Sequence, residues 1–91
     1  MLEPLNNDRP RLLWFDDSGR SLTEKIKHAV SYYEEKYQVE AVDVVVNLRQ
    51  ARNAKLRTEI GKIQVYRDKR IHYNYVSVGF KDFKGFKRGI T

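Results

Sequence analysis

Residues 12–37 read LLWFDDSGRSLTEKIKHAVSYYEEKY and hold a strand, a turn and a helix in succession. The apolar run that ends at residue 15 has the length of a strand, and the DDSG after it consists of turn-forming residues. Ser21 and Glu24 have the spacing of a capping box, in which each side chain binds the other residue's backbone amide. Apolar side chains then recur at helical spacing: Leu22, Ile26, Ala29, Val30, Tyr33 and Tyr37. This pattern predicts a helix over residues 22–37, with Lys25 and the other polar residues on its flanks and solvent side.

Residues 41–48 read AVDVVVNL and predict the second strand. Val42, Val44 and Val46 share one face of it, and its many β-branched residues favour a position inside the sheet rather than at an edge. Strand, helix and strand in this order predict a neighbouring parallel pair that is joined by a right-handed crossover.

The C-terminal half predicts two more strands. Residues 49–61 are interpreted as a short helix or a loop, because their apolar residues do not share one helical face. Residues 62–67 alternate as a strand, residues 68–69 form a turn, and residues 70–80 return as an antiparallel hairpin. The alternation changes phase in the last strand, which predicts a bulge near Tyr75 and Val76. The fold class is therefore α+β, or small α/β: a mixed four-stranded sheet with one main helix packed on it.

A chain of 91 residues is expected to form one domain. We predict an extended leader over residues 1–10, where both prolines lie, a single domain over residues 11–80 and a basic tail over residues 81–91. The first residues have no apolar core of a signal peptide, and no apolar run is long enough to span a membrane. With no cysteine in the chain, we expect a cytoplasmic protein without disulfides or thiolate metal sites.

Charge is divided between the two halves of the chain. Residues 1–46 hold six Lys/Arg and nine Asp/Glu, a net charge of −3, whereas residues 47–91 hold twelve and three, a net charge of +9. Six aromatic residues also lie in the basic half. Cations that neutralise phosphates, together with rings that stack on bases, are typical of a nucleic-acid-binding surface.

The sequence therefore predicts a basic module that binds nucleic acid without catalysis or a cofactor. Phosphates are expected to meet seven cations: Arg49, Arg52, Lys55, Arg57, Arg67, Lys69 and Arg70. Tyr73 and Tyr75 are the candidate stacking rings. The same charge suits an acidic protein partner, and partly exposed rings such as Trp14, Tyr32 and Tyr66 suit a homo-oligomeric subunit, so both alternatives remain open.

A metal-dependent nuclease is a more distant alternative. Asp16 and Asp17 follow the first strand, where functional groups of α/β sheets usually lie, and would need a third ligand such as Asp43 or Glu40. The other interpretation is that both aspartates favour the turn and complement the positive end of the helix. His28 has no partner nearby in sequence, and His72 is interpreted as an ordinary strand residue rather than one that stacks on a base or titrates in an interface. No phosphate loop or hydrolase signature is present.

The block over residues 12–37, the VVN of residues 45–47 and the late pair of strands resemble a family of small bacterial proteins with no assigned function. That family usually has Asn-Pro after the second strand, whereas this chain has Asn47-Leu48. The resemblance covers about two-thirds of the chain and implies the order of the elements, but no activity. Aspartates at the end of a first strand also resemble those of small ferredoxin-like nucleases, although the elements after the helix depart from that pattern.

Overall fold

A computed structural model describes residues 11–80, which form five strands and two helices. In chain order they are β1 (Leu12–Phe15), α1 (Leu22–Tyr37), β2 (Asp43–Val46), α2 (Leu48–Asn53), β3 (Glu59–Ile60), β4 (Ile63–Arg67) and β5 (Tyr75–Gly79). The predicted α+β class, with a mixed sheet and one main helix, is confirmed. The predicted leader over residues 1–10 and tail over residues 81–91 lie outside the described residues.

The main helix has the predicted bounds because local interactions define both of its ends. Ser21 is the N-cap, and its hydroxyl accepts the amide of Glu24 at 3.2 Å. At the other end Gln38 adopts a left-handed conformation (φ 56°) and its amide binds the Glu34 carbonyl at 2.9 Å. Both helix termini thus satisfy backbone groups that would otherwise lack partners.

The strands form one sheet in the order β1-β5-β2-β4-β3. The central strand, β2, runs parallel to β4 and antiparallel to β5. All four residues of β2 are buried, which agrees with the predicted interior position of the valine-rich strand. β1 pairs antiparallel with β5, and β3 forms a tight hairpin with β4, with Gly61 at φ 60° in its turn.

Three features of the predicted sheet are wrong. The sheet has five strands rather than four, because residues 59–60 add a short edge strand. β1 and β2 run in the same direction but are not neighbours, since β5 lies between them. β4 and β5 do not form a hairpin, because each pairs with a different side of β2. The central strand thereby satisfies its backbone on both sides with strands from the C-terminal half.

The last strand is shorter than predicted and needs no bulge. β5 begins at Tyr75, and residues 70–74 belong to the loop that crosses from β4 to β5. The change of phase in the sequence marks the point where this loop ends. Asn74, the last residue of the loop, has φ 68°, a left-handed conformation that asparagine tolerates better than most residues.

The main core lies between α1 and one face of the sheet. Ile26, Ala29 and Tyr33 of the helix are almost completely buried. They belong to the same apolar cluster as alternate residues of the central strands: Val44, Val46, Val65, Val76 and Val78. Complete burial of each large apolar side chain contributes about 1.5–3 kcal/mol.

The opposite face of the sheet contains a buried ion pair between Arg11 and Asp43. Asp43 is fully buried at the start of β2. The Arg11 guanidinium also donates to the Ser77 hydroxyl at 2.9 Å and to the Ser77 carbonyl at 3.2 Å. It passes directly over Gly79, where a Cβ would come within 2.8 Å of the Arg11 Cζ. The glycine therefore makes room for the ion pair.

No helix within residues 11–80 has the length and apolar character needed to cross a bilayer.

Candidate functional site

Three connections meet at the end of the sheet where β1, β2 and β4 finish and β5 begins: those that follow β1, β2 and β4. The loop over residues 68–74 contacts the end of β2, since the Asp68 amide donates to the Val46 carbonyl at 2.9 Å. Asn47 caps α2 and donates its side-chain amide to the Ile71 carbonyl at 2.8 Å. The Asp16 amide binds the Asn74 carbonyl at 2.9 Å. These three hydrogen bonds tie the loop over residues 68–74 to the connections that follow β1 and β2.

A polar network of Lys25, Gln50 and Asn74 connects the loop over residues 68–74 to both helices. Asn74 Oδ1 accepts both Lys25 Nζ at 3.1 Å and Gln50 Nε2 at 2.9 Å. The side-chain oxygen of Gln50, Oε1, in turn accepts the Asn74 backbone amide at 2.8 Å. Lys25 is only 5% exposed, so its predicted place on the flank or solvent side of the helix is wrong. The network joins α1, α2 and the loop that precedes β5, and none of its three members was a predicted site residue.

One signal in the sequence indicates the burial of Lys25. Leu22, Lys25, Ile26 and Ala29 follow the i, i+3, i+4, i+7 spacing of a single helical face. Lysine interrupts an otherwise apolar face, which requires polar partners from elsewhere in the fold. Its hydrogen-bond partner, Asn74, lies 49 positions away in the chain, and no local pattern identifies it.

Asp16 and Asp17 form a turn in which Asp16 is hydrogen-bonded locally. The hydroxyl and the amide of Ser18, followed by the charges of Lys25 and Arg20, hold the pKa of the Asp16 carboxyl below its ordinary value. The Ser18 amide lies 2.9 Å from Asp16 Oδ1.

The suggested third metal ligand, Asp43, lies at the opposite end of the sheet and is paired with Arg11. Within residues 11–80 no three His, Asp or Glu side chains are grouped closely enough to hold a metal ion. The geometry therefore favours the turn interpretation of Asp16 and Asp17.

Four predicted phosphate ligands are exposed along α2 and the connection after it. We call Arg49, Arg52, Lys55 and Arg57 the basic cluster. Lys55 adopts a left-handed conformation (φ 53°) that ends the helix and turns the chain back, so that Leu56 is buried in the core. None of the four cations forms an ion pair with another residue in the described range 11–80.

The other three predicted phosphate ligands have different surroundings. Lys69 is exposed in the loop over residues 68–74, without an ion pair inside the described part of the chain. Arg70 makes a two-point contact with Asp68, through Nε at 2.9 Å and Nη2 at 2.6 Å. Arg67 donates to the carbonyls of Leu56 and Arg57, and so holds the connection that leads into β3. Arg67 and Arg70 are thus engaged within the fold, whereas Lys69 remains accessible.

The two candidate stacking rings lie in different elements, one in the loop before β5 and the other at the first residue of β5. Tyr73 lies in the loop rather than in a strand and is 48% exposed. Tyr75 lies on the sheet, where its ring packs 4.9 Å from that of Phe15 and 6.2 Å from that of His72. Tyr73 is therefore the ring that is more available for stacking on a base.

Comparison with known proteins finds no relative from which a function can be transferred. No protein-family model, curated protein or solved structure matches this chain. The resemblance to small bacterial proteins therefore stays a prediction, and the function has to be argued from the geometry of the site.

Proposed function

We propose that this chain is a small basic module that binds nucleic acid through its phosphates and performs no catalysis. The observation that carries the proposal is the basic cluster: four exposed cations within nine residues, without carboxylate partners among residues 11–80. A cation that is not already paired loses no intramolecular contact when it binds a phosphate. Each phosphate that it neutralises also releases counterions, which favours binding at low salt.

Two further residues suit the same role. Lys69 and the exposed ring of Tyr73 lie in the loop over residues 68–74, and Asn47 connects that loop to the start of α2. A nucleic-acid strand that contacts Arg49 would therefore also meet a further cation, Lys69, and a stacking ring, Tyr73, in the neighbouring loop. Cations that follow the phosphate backbone of the nucleic acid, together with a ring on which a base stacks, are typical of proteins that bind single-stranded nucleic acid.

A salt titration tests the proposal. We expect the logarithm of the binding constant for single-stranded DNA or RNA to fall linearly with the logarithm of salt concentration. The slope for a single strand should be on the order of −3 to −4, which corresponds to roughly four to six neutralised phosphates. A failure to bind single-stranded or double-stranded DNA or RNA at low salt would refute the proposal.

A matched pair of double variants separates a local surface from net charge alone. Arg49→Gln with Arg52→Gln removes two charges of the basic cluster, whereas Lys36→Gln with Lys62→Gln removes two exposed charges elsewhere. The first variant should make the slope less steep by about two, and the second should leave it nearly unchanged. Equal effects of both variants would indicate non-specific attraction to the whole chain.

The stacking contribution has its own variant and control. Tyr73→Ala should weaken binding to a single strand by about 1–3 kcal/mol without altering the salt slope, since stacking depends little on salt. Tyr32→Ala removes a ring of similar exposure, 43% against 48%, from α1 and should have no effect on binding. Equal affinity of the Tyr73→Ala variant and the unmodified protein would exclude this ring from the site.

A self-associating subunit is the second candidate function. Leu13 is 56% exposed and Phe15 53% exposed, both on the edge strand β1 and on the sheet face that points away from α1. Exposed apolar residues on a strand that has no neighbour on one side within residues 11–80 favour association with another chain. Light scattering over a hundredfold range of concentration tests this candidate, and a constant monomeric mass would refute it.

A further inference from the structure

A groove of about 830 Å³ lies between α1 and the β3–β4 hairpin. Its volume falls within the range of about 300–1,000 Å³ that is common for small-molecule sites. Residues 57–61 form part of its rim, so the groove begins where the basic cluster ends, at Arg57. The groove therefore continues the surface assigned above to phosphates.

Apolar side chains lie on both sides of the groove, among polar ones. Partly exposed Val30 of α1 faces the groove above the almost completely buried Ile26, and the hairpin contributes Ile60 and Ile63, which are also partly exposed. Two opposed aliphatic surfaces of this kind suit a flat ring, whose faces gain dispersion contacts and lose contact with water.

The two ends of the groove differ in charge. α1 begins at the end of β1 and leads back to the start of β2, so it runs antiparallel to β2 and to β4. Arg57 precedes Thr58, whose carbonyl accepts the Val65 amide near the middle of β4. Lys27 and Arg57 therefore lie toward the end of the groove where α1 begins, and Glu34 lies toward the end where α1 finishes.

The carboxylates of the groove are already hydrogen-bonded, whereas its cations are not paired. Glu34 accepts the Ala41 amide at 2.8 Å, and Glu59 accepts the side-chain amide of Gln64 at 2.9 Å. Lys27 and Arg57 are exposed and form no ion pair with the residues that the structure describes. The groove thus carries two cations and two carboxylates, with both cations toward the end where α1 begins, so that end attracts an anion while the aliphatic side chains accept a ring.

We propose that the groove holds one unpaired nucleotide of a bound single strand. Its phosphate lies against Lys27 and Arg57, and its base lies between the aliphatic side chains of α1 and the hairpin. This inference rests on the proposed function, because Arg57 belongs both to the basic cluster and to the groove. A base inside a duplex is stacked and paired and cannot enter, so the groove gives a preference for single strands.

The test uses a single-stranded octanucleotide and a duplex of the same sequence. Lys27→Gln should reduce the salt slope for the single strand by about one and leave the slope for the duplex unchanged. Lys36→Gln is the control, because Lys36 is an exposed lysine of the same helix that does not line the groove. Amide chemical shifts in the presence of the octanucleotide should change on both walls of the groove. Adenosine monophosphate should change the same amides, and inorganic phosphate only those near Lys27 and Arg57.

Each result decides a separate point. If the single strand binds but Lys27→Gln behaves as Lys36→Gln does, or shifts are confined to α2 and the loop over residues 68–74, the groove is not the site and the proposed function stands. If adenosine monophosphate enters the groove but no strand binds, the inference of a strand-bound nucleotide is overturned together with the proposed function. Equal losses for single strand and duplex would overturn the inferred preference for unpaired bases.

Discussion

Replacement of Asn74 by glycine should be among the most destabilising single changes at the candidate site. Asn74 Oδ1 accepts a charged donor, Lys25 Nζ at 3.1 Å, and a neutral one, Gln50 Nε2 at 2.9 Å. A hydrogen bond to a charged group contributes about 1.5–3 kcal/mol, and a neutral one about 0.5–1.5 kcal/mol. Glycine tolerates the left-handed φ of 68° without strain, so the loss should come from the side chain. We expect the free energy of unfolding to fall by about 2–4 kcal/mol.

A double-mutant cycle identifies which bond is responsible. Lys25→Met removes the buried charge while keeping a side chain of similar length on the helix face that packs in the core. In that background Asn74→Gly should lose only the bond to Gln50, so the coupling between positions 25 and 74 should be about 1.5–3 kcal/mol. Denaturant unfolding of the four proteins gives each term. A coupling below about 0.5 kcal/mol would refute the argument that Asn74 stabilises the buried ammonium group.

Two other changes test separate parts of the structure. Gly79→Ala should lower the free energy of unfolding by about 1–3 kcal/mol, because the new Cβ would displace the flexible Arg11 guanidinium and weaken its contact with the buried Asp43 carboxylate. Gly19→Ala, where a Cβ meets nothing within 4 Å, is the matched control in the same melts, and equal midpoints for both variants would contradict the prediction. Because the folded-state pKa of Asp16 is lowered, its stabilising effect should be present above the unfolded pKa and be lost as the pH falls through the folded-state value. A carboxyl titration by NMR measures this pKa, and Ser18→Ala should raise it toward the ordinary value.

Local signals in the sequence are sufficient to define the main helix and the fold class. Ser21 and Glu24 lie within one turn of each other, and the residues that face the core repeat within sixteen positions. Such signals act over short distances along the chain, so the bounds of α1 and the interior character of β2 follow from the sequence. The basic cluster is also predicted to lie on the surface, because its four cations fall within nine residues of a connection between strands.

The order of the strands depends on tertiary packing. β4 and β5 have the alternation of a hairpin, and alternation predicts which face of a strand is buried but not which neighbour it pairs with. Both strands flank β2 instead, because the valines of β2 are buried and its backbone pairs on each side.

The candidate site depends on contacts between residues far apart in the chain. Lys25 donates to Asn74 across 49 positions, and Gln50 donates to the same residue across 24 positions. The burial of a lysine within a helix and the left-handed conformation of Asn74 are stabilised only when α1, α2 and the loop before β5 have come together. The groove likewise exists only because β3 and β4 lie beside α1, so Lys27 and Arg57, which are far apart in sequence, line the same groove. Local sequence therefore determined the main helix and the basic cluster, and the packing of distant segments decided which side chains share a site.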